Sequence, residues 1–177
     1  VLKLSSTGSI IWQKNIGGAS DDYFSDLILT ADGGFLIGAE SYSGIGFEKT
    51  APLIGVFDNW IIKLDADGNI EWDKTIGGDN LDNIGGLAQT TDGNYVVGAL
   101  SMSGISGNKT EINNGTDYWV YKLDTLGNII WQNTIGGLST DFLYAIAATD
   151  DNGVIVVGES NSGANIDKDE VSIGGSA

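Results

Sequence analysis

The 177-residue chain has no cysteine, no histidine, no arginine and one proline. Disulfides, Cys/His zinc sites, thiol nucleophiles and catalysis through an imidazole are therefore excluded. The missing arginine also removes the guanidinium clamp that grips a carboxylate. Positive charge is scarce: eight lysines face 24 aspartates and glutamates, for a net charge of −16. That balance argues against nucleic acid or an anionic membrane surface as partner. No apolar run approaches the roughly 18 residues of a membrane-spanning helix, and no stretch sustains a helical period. What is plentiful is glycine, 27 residues, with 41% hydrophobic residues to build a core. This composition suits an acidic, glycine-rich extracellular β protein.

Self-similarity sets the organisation. The segments Ile11-Trp12-Gln13-Lys14-Asn15-Ile16-Gly17-Gly18, Glu71-Trp72-Asp73-Lys74-Thr75-Ile76-Gly77-Gly78 and Ile130-Trp131-Gln132-Asn133-Thr134-Ile135-Gly136-Gly137 are one motif, repeated about every 59 residues. Val1-Leu2-Lys3-Leu4, Ile61-Ile62-Lys63-Leu64 and Val120-Tyr121-Lys122-Leu123 keep the same phase, as do Asp22, Asp82 and Asp141. So do the Ser-x-Ser-Gly runs ending at Gly44, Gly104 and Gly163. The repeats are 1–59, 60–118 and 119–177.

Within one copy, alternation of apolar and polar residues predicts four short strands: Trp60 to Leu64, Ile70 to Ile76, Gly86 to Thr90 and Tyr95 to Leu100. Turns rich in Asp, Gly and Asn separate them, at Asp65 to Asn69 and Thr91 to Asn94. A variable loop, Gly104 to Asp117, closes the unit. The expected fold class is all-β, a β-propeller-like array of three four-stranded blades. Three blades are fewer than a ring needs, and both ends fall at nearly one phase of the repeat. An excerpt of a larger propeller is therefore expected. A stacked β-solenoid is the alternative.

All eight lysines lie in three columns of the repeat: Lys3, Lys63, Lys122; Lys14, Lys74; and Lys49, Lys109, Lys168. A catalytic constellation is singular, whereas scaffold residues recur with the scaffold. The first two columns read as strand lysines with stems on apolar surface and heads in water. The third lies in the variable loop, where a binding role is open. Trp12, Trp72, Trp131, Trp60 and Trp119 recur likewise and read as packing between blades rather than as sugar platforms. Asp65-Ala66-Asp67-Gly68-Asn69-Ile70-Glu71 looks like the start of a calcium loop, but Ser5 to Ser9 and Asp124 to Asn128 lack the ligands, so a hairpin turn accounts for all three. Asp22, Asp82 and Asp141, after the Gly-Gly pair, and Asp58 and Asp117, at strand entry, most simply accept backbone N–H groups. Asp167-Lys168-Asp169-Glu170 reads as a solvated loop. Acidic residues are abundant enough for glycoside hydrolysis, yet no singular set stands out. No catalytic residue, cofactor or metal ligand is assigned.

The combination Trp60 to Asp65, Gly68 to Trp72, Thr75 to Gly78, Thr90 to Asn94 and Ser101 to Gly104 resembles the Trp/Gly-Gly propeller-like repeats of secreted Bacteroidota surface proteins, many of them type IX secretion cargo. The resemblance covers all three copies. It implies a secreted, cell-surface location with adhesion or gliding motility, contact with secretion or outer-membrane machinery, and no catalytic residues. Asp124-Thr125-Leu126 also looks like the short O-glycosylation motif of that phylum. The expected function is a non-enzymatic, adhesin-like scaffold whose loops Phe47 to Val56, Asn108 to Thr116 and Ile166 to Ser176 meet a surface protein or glycan. The alternative is a carbohydrate-binding or glycosidase-type propeller module.

Overall fold

A computed structural model describes residues 1–170, all β, with twelve strands and no helix among them. The strands are β1 (Leu2–Leu4), β2 (Ile10–Gln13), β3 (Asp22–Leu29), β4 (Phe35–Ser41), β5 (Asp58–Leu64) and β6 (Ile70–Ile76). They continue as β7 (Asp82–Gln89), β8 (Tyr95–Ser101), β9 (Asp117–Leu123), β10 (Ile129–Ile135), β11 (Asp141–Ala148) and β12 (Val154–Ser160). The expected four strands per copy are present, and the third starts earlier than its apolar core, at Asp82 rather than Gly86.

The strands pair antiparallel into two four-stranded sheets, β3-β4-β5-β6 and β7-β8-β9-β10, flanked by the two-stranded sheets β1-β2 and β11-β12. Three four-stranded units were expected; among the described residues two complete ones form, and no sheet closes on itself. The sheets are offset by half a repeat from the copies 1–59, 60–118 and 119–177. The reason lies in the two kinds of connection. The long loop from Tyr42 to Phe57 joins β4 and β5, which are hydrogen-bonded neighbours in one sheet. The short Gly-Gly link after Ile76 instead carries the chain across to the next sheet. A Cβ at Gly77 would overlap the Asp58 carboxylate and one at Gly78 the Ser103 side chain, so only glycine lets the crossing run this close.

Successive sheets stack face to face. β7 packs on β3, β4 and β5, and β11 packs on β7, β8 and β9. Leu36 and Ile61 meet Ile84, Leu87, Val97 and Tyr121 in the first junction, and Val96 and Val120 meet Leu143 in the second. Period-two alternation makes this possible: Leu36 faces forward and Ile37 backward, so both faces of a middle strand are apolar.

Candidate functional site

Two rows of polar residues brace each sheet, its turns and the Gly-Gly links. In the first, Asp82 accepts bonds from Gly78 N (2.7 Å), Ser101 Oγ (2.5 Å) and Ser103 Oγ (2.8 Å). Asp22 repeats this with Gly18, Ser41 and Ser43. Asp141 does so with Gly137 and Ser162. The backbone acceptor role expected for this column is what the structure has. Asp58 accepts Ile54 N at 2.6 Å and Asp117 accepts Asn114 N at 2.8 Å, also at the expected strand entry. Sequence reasoning missed the serines as partners, although the Ser-x-Ser-Gly runs keep the same phase. Burial pushes the carboxyls of Asp82, Asp58 and Asp117 up.

The second row is the lysines, and here two expectations are corrected. Lys63 and Lys122 do not hold their heads in water. Lys63, 1% exposed, pairs with Asp32 and Glu71 at 2.8 Å each, and Lys122 pairs with Asp92 at 2.8 Å. The ammonium hydrogen bond from Lys63 holds Asp32 down to about 2. Asp32 and Asp92 come from the turns of the β3-β4 and β7-β8 hairpins, about 30 residues back in the chain and beyond the reach of a strand-level reading, whereas Glu71 lies on β6, the strand paired with that of Lys63. Lys14 and Lys74 are half-buried, with Lys14 Nζ donating to Asn69 Oδ1 at 3.3 Å rather than only to water and the Lys74 stem lying against Gly127.

Lys49 and Lys109 are buried within the variable loops. Lys49 Nζ donates to Ala51 O at 3.0 Å and to Thr75 Oγ1, and sits 5.7 Å from the Trp60 ring centroid. Lys109 Nζ donates to Thr134 Oγ1 and sits 5.4 Å from the Trp119 ring. Burial lowers both amines, Lys109 to about 8. In the third copy Lys168 Nζ donates to Ser160 Oγ and Ser162 O.

These lysines anchor a tight turn. Gly46 and Lys49 exchange backbone bonds of 3.1 Å, as do Ser106 and Lys109 at 3.1 and 2.9 Å. The residue before each lysine clamps the turn to the Gly-Gly link: Glu48 N donates to Gly17 O, Asn108 N to Gly77 O and Asp167 N to Gly136 O. At the tip, Phe47 (φ 51°), Gly107 (φ 54°) and Ile166 (φ 52°) occupy one column, all left-handed. Glycine adopts this backbone freely. Phenylalanine and isoleucine do so against a steric cost of about 1–2 kcal/mol. Phe47 is nonetheless 86% exposed, as are Ile45 in the same loop and Ile105 and Ile166 in the loops of the other two copies. The rest of the expected Ile166 to Ser176 loop, from residue 171, lies outside the described residues.

Four of the five tryptophans act as packing residues, whereas Trp131 is exposed. Trp60 Nε1 donates to Asp73 and Trp119 Nε1 to Gln132. Trp12 and Trp72 reach across to the next sheet, donating to Ala66 O and Thr125 O, with their rings over Gly68 and Gly127. The Asp65 turn is a self-contained hairpin. Asp65 accepts Asp67 N, Asn69 N and Asn69 Nδ2, and Asp124 repeats the set with Leu126 and Asn128. Among the described residues no group of three or more acidic side chains is placed to hold a metal ion, and no helix is long and apolar enough to cross a membrane. No protein-family model matches the chain, and no curated protein matches it.

Proposed function

We propose that the chain is a non-enzymatic, adhesin-like surface scaffold, propeller-like in its stacking, whose loop tips make the contacts. One observation carries this reading: Phe47 and Ile166 are large apolar residues held exposed in a left-handed backbone. Strain of this kind persists only where the surroundings enforce it, and it clusters where a residue contacts a ligand. The buried Lys49 and the Glu48–Gly17 bonds do the enforcing. The repeated acids and lysines, by contrast, are engaged in holding strands and turns, which leaves the tips as the variable surface. The neighbouring inner strands β3, β7 and β11 support the propeller-like arrangement. A secreted, cell-surface location on the Bacteroidota pattern and transport by type IX machinery belong to the same proposal, through the Trp/Gly-Gly likeness.

The test uses a variant carrying Phe47→Gly, Ile105→Ser and Ile166→Gly, probed beside the parent on a glycan array and on purified extracellular-matrix proteins. The parent should be retained on a glycan or a protein, and the variant released from it with unfolding midpoint equal or higher. Equal retention of both, or retention of neither, overturns the proposal. Loss of folding in the variant makes the tips structural and overturns it as well.

A further inference from the structure

At the junction of the two complete sheets a groove of about 450 Å³ opens between the turns at Asp32, Gly93 and Thr125. Its volume is that of a small-molecule site. It lies at the Phe35–Leu64 end of the β4-β5 pair, whereas the loop tips project from the Ser41–Asp58 end.

The frame of this groove recurs in the repeat. Asp32 with Lys63 is matched by Asp92 with Lys122, and the Trp72–Tyr95 ring contact by Trp12–Phe35. Two polar residues of the lining do not recur. Ile11 and Ile130 stand in the place of Glu71, and Phe35 and Val154 in that of Tyr95. Neither is needed for the frame. Lys122 keeps its place with Asp92 as its one acidic partner among the described residues, and Phe35 packs on its tryptophan without a hydroxyl. A third singular residue, Gln89, shapes the groove by accepting Ala31 N at 2.8 Å and donating to Gly93 O at 3.0 Å.

Two polar atoms face the groove unengaged. Lys63 uses its three donors on Leu64 O, Asp32 and Glu71 Oε2. That holds Glu71 in position and leaves its Oε1 without a partner among the described residues. Tyr95 is 2% exposed, yet among the described residues its hydroxyl has no hydrogen-bond partner. It is not sealed in like the unpartnered Asn59 Oδ1, and it lines the groove. Burial pushes its titration up, so it remains a donor.

Charge and donors together select the ligand. Two carboxylates against one ammonium, on a chain of net charge −16, repel an anion. A calcium ion takes about six to eight oxygen ligands, and the ammonium 2.8 Å from Glu71 opposes any cation. A free acceptor, a free donor and the half-buried Trp72 indole beside them suit a neutral molecule that carries hydroxyls on an apolar ring. We propose that the groove binds one neutral sugar residue, with one hydroxyl donating to Glu71 Oε1, another accepting from the Tyr95 hydroxyl, and the C–H face against Trp72. Lys63 and Gln89 are positioning residues. The site is separate from the loop tips.

Nuclear magnetic resonance titration of the full chain tests this. Glucose, galactose, mannose, xylose and N-acetylglucosamine are added, each free and as its methyl glycoside, with N-acetylneuraminic acid as the anionic control. At least one neutral sugar should shift the Gly93, Tyr95 and Leu126 amides saturably in the millimolar range, and the acid should not. Binding of the glycoside assigns the groove to the end of a glycan, and binding of the free sugar alone to a free sugar. Glu71→Ile installs the residue of the other two copies and should weaken binding about tenfold. Tyr95→Phe installs that of the first copy and should weaken it several-fold, with an unfolding midpoint equal or higher because the hydroxyl has no partner to lose. No shift at these amides with any neutral sugar, equal binding of N-acetylneuraminic acid, or unchanged affinity in either variant overturns the proposal. A lower midpoint for Tyr95→Phe shows the hydroxyl engaged within the chain and overturns it as well. The Phe47→Gly, Ile105→Ser, Ile166→Gly variant should keep the shifts, so the groove and the loop tips fail separately.

Discussion

Replacing Asp82 by alanine isolates the row of side chains that ties each Gly-Gly crossing to its sheet. Asp82 is fully buried and accepts three bonds, from Gly78 N, Ser101 Oγ and Ser103 Oγ. Alanine leaves three donors without this acceptor. Both hydroxyls are already used as acceptors, by Ser103 N and Asn80 N, so neither is free to swing away. Each orphaned buried donor costs about 1–3 kcal/mol, partly offset because a buried carboxylate no longer has to be desolvated. The net expected loss is about 3–5 kcal/mol. Asp22 makes the same three bonds but is half-buried, so water can replace the lost acceptor. Asp22→Ala should cost about 1–2 kcal/mol. Urea unfolding gives both numbers if the m-value is unchanged, and hydrogen exchange at Gly78 and Asn80 localises the effect. A loss below about 1 kcal/mol for Asp82→Ala, or an equal loss at the two sites, would refute the reasoning.

Phe47→Gly should stabilise the fold by about 1 kcal/mol by relieving the left-handed phenylalanine, read as a higher urea midpoint; a lower midpoint would show that the ring packs. Gly107→Phe should destabilise, because a Cβ there would lie 2.8 Å from Ile54 Cγ2, and thermal unfolding reads it. Lys109 titrates near 8 when folded and near 10.4 when unfolded. The unfolded state therefore holds more protons between those values, and stability should rise with pH across them; Lys109→Met should flatten that rise. Asp32 titrates near 2 when folded, so its contribution is present above the unfolded value near 3.9 and lost as pH falls toward 2. Asp32→Asn should remove part of that acid sensitivity, measured as unfolding midpoint against pH.

Strand positions and turns were legible because period two and Asp-Gly-Asn chemistry are local. The Asp82 column was legible because its partner glycine lies four residues away. Sheet membership was not. Each copy contains four strands whichever way it is cut, and nothing local says that the long loop before Asp58 stays in one sheet while the short link after Ile76 leaves it. Lys63 was misjudged because its partner Asp32 sits in a separate turn, although a chain so poor in positive charge that keeps a lysine in the same column three times carries a signal of a structural role. The strain at Phe47 had one trace in the sequence, the glycine at the same place in the next copy, Gly107.

The most direct test of the stacked, half-repeat-offset architecture is a set of methyl nuclear Overhauser contacts in solution. The structure predicts contacts from the Ile84 and Leu87 methyls to Gly38 Hα and the Leu36 methyls, across the junction of two sheets. It also predicts backbone contacts between β4 and β5, paired from Phe35–Leu64 to Ser41–Asp58. Absence of the first set, together with backbone contacts between β6 and β7, would mean that sheets follow the sequence repeats, and would contradict the architecture from which the loop display is argued.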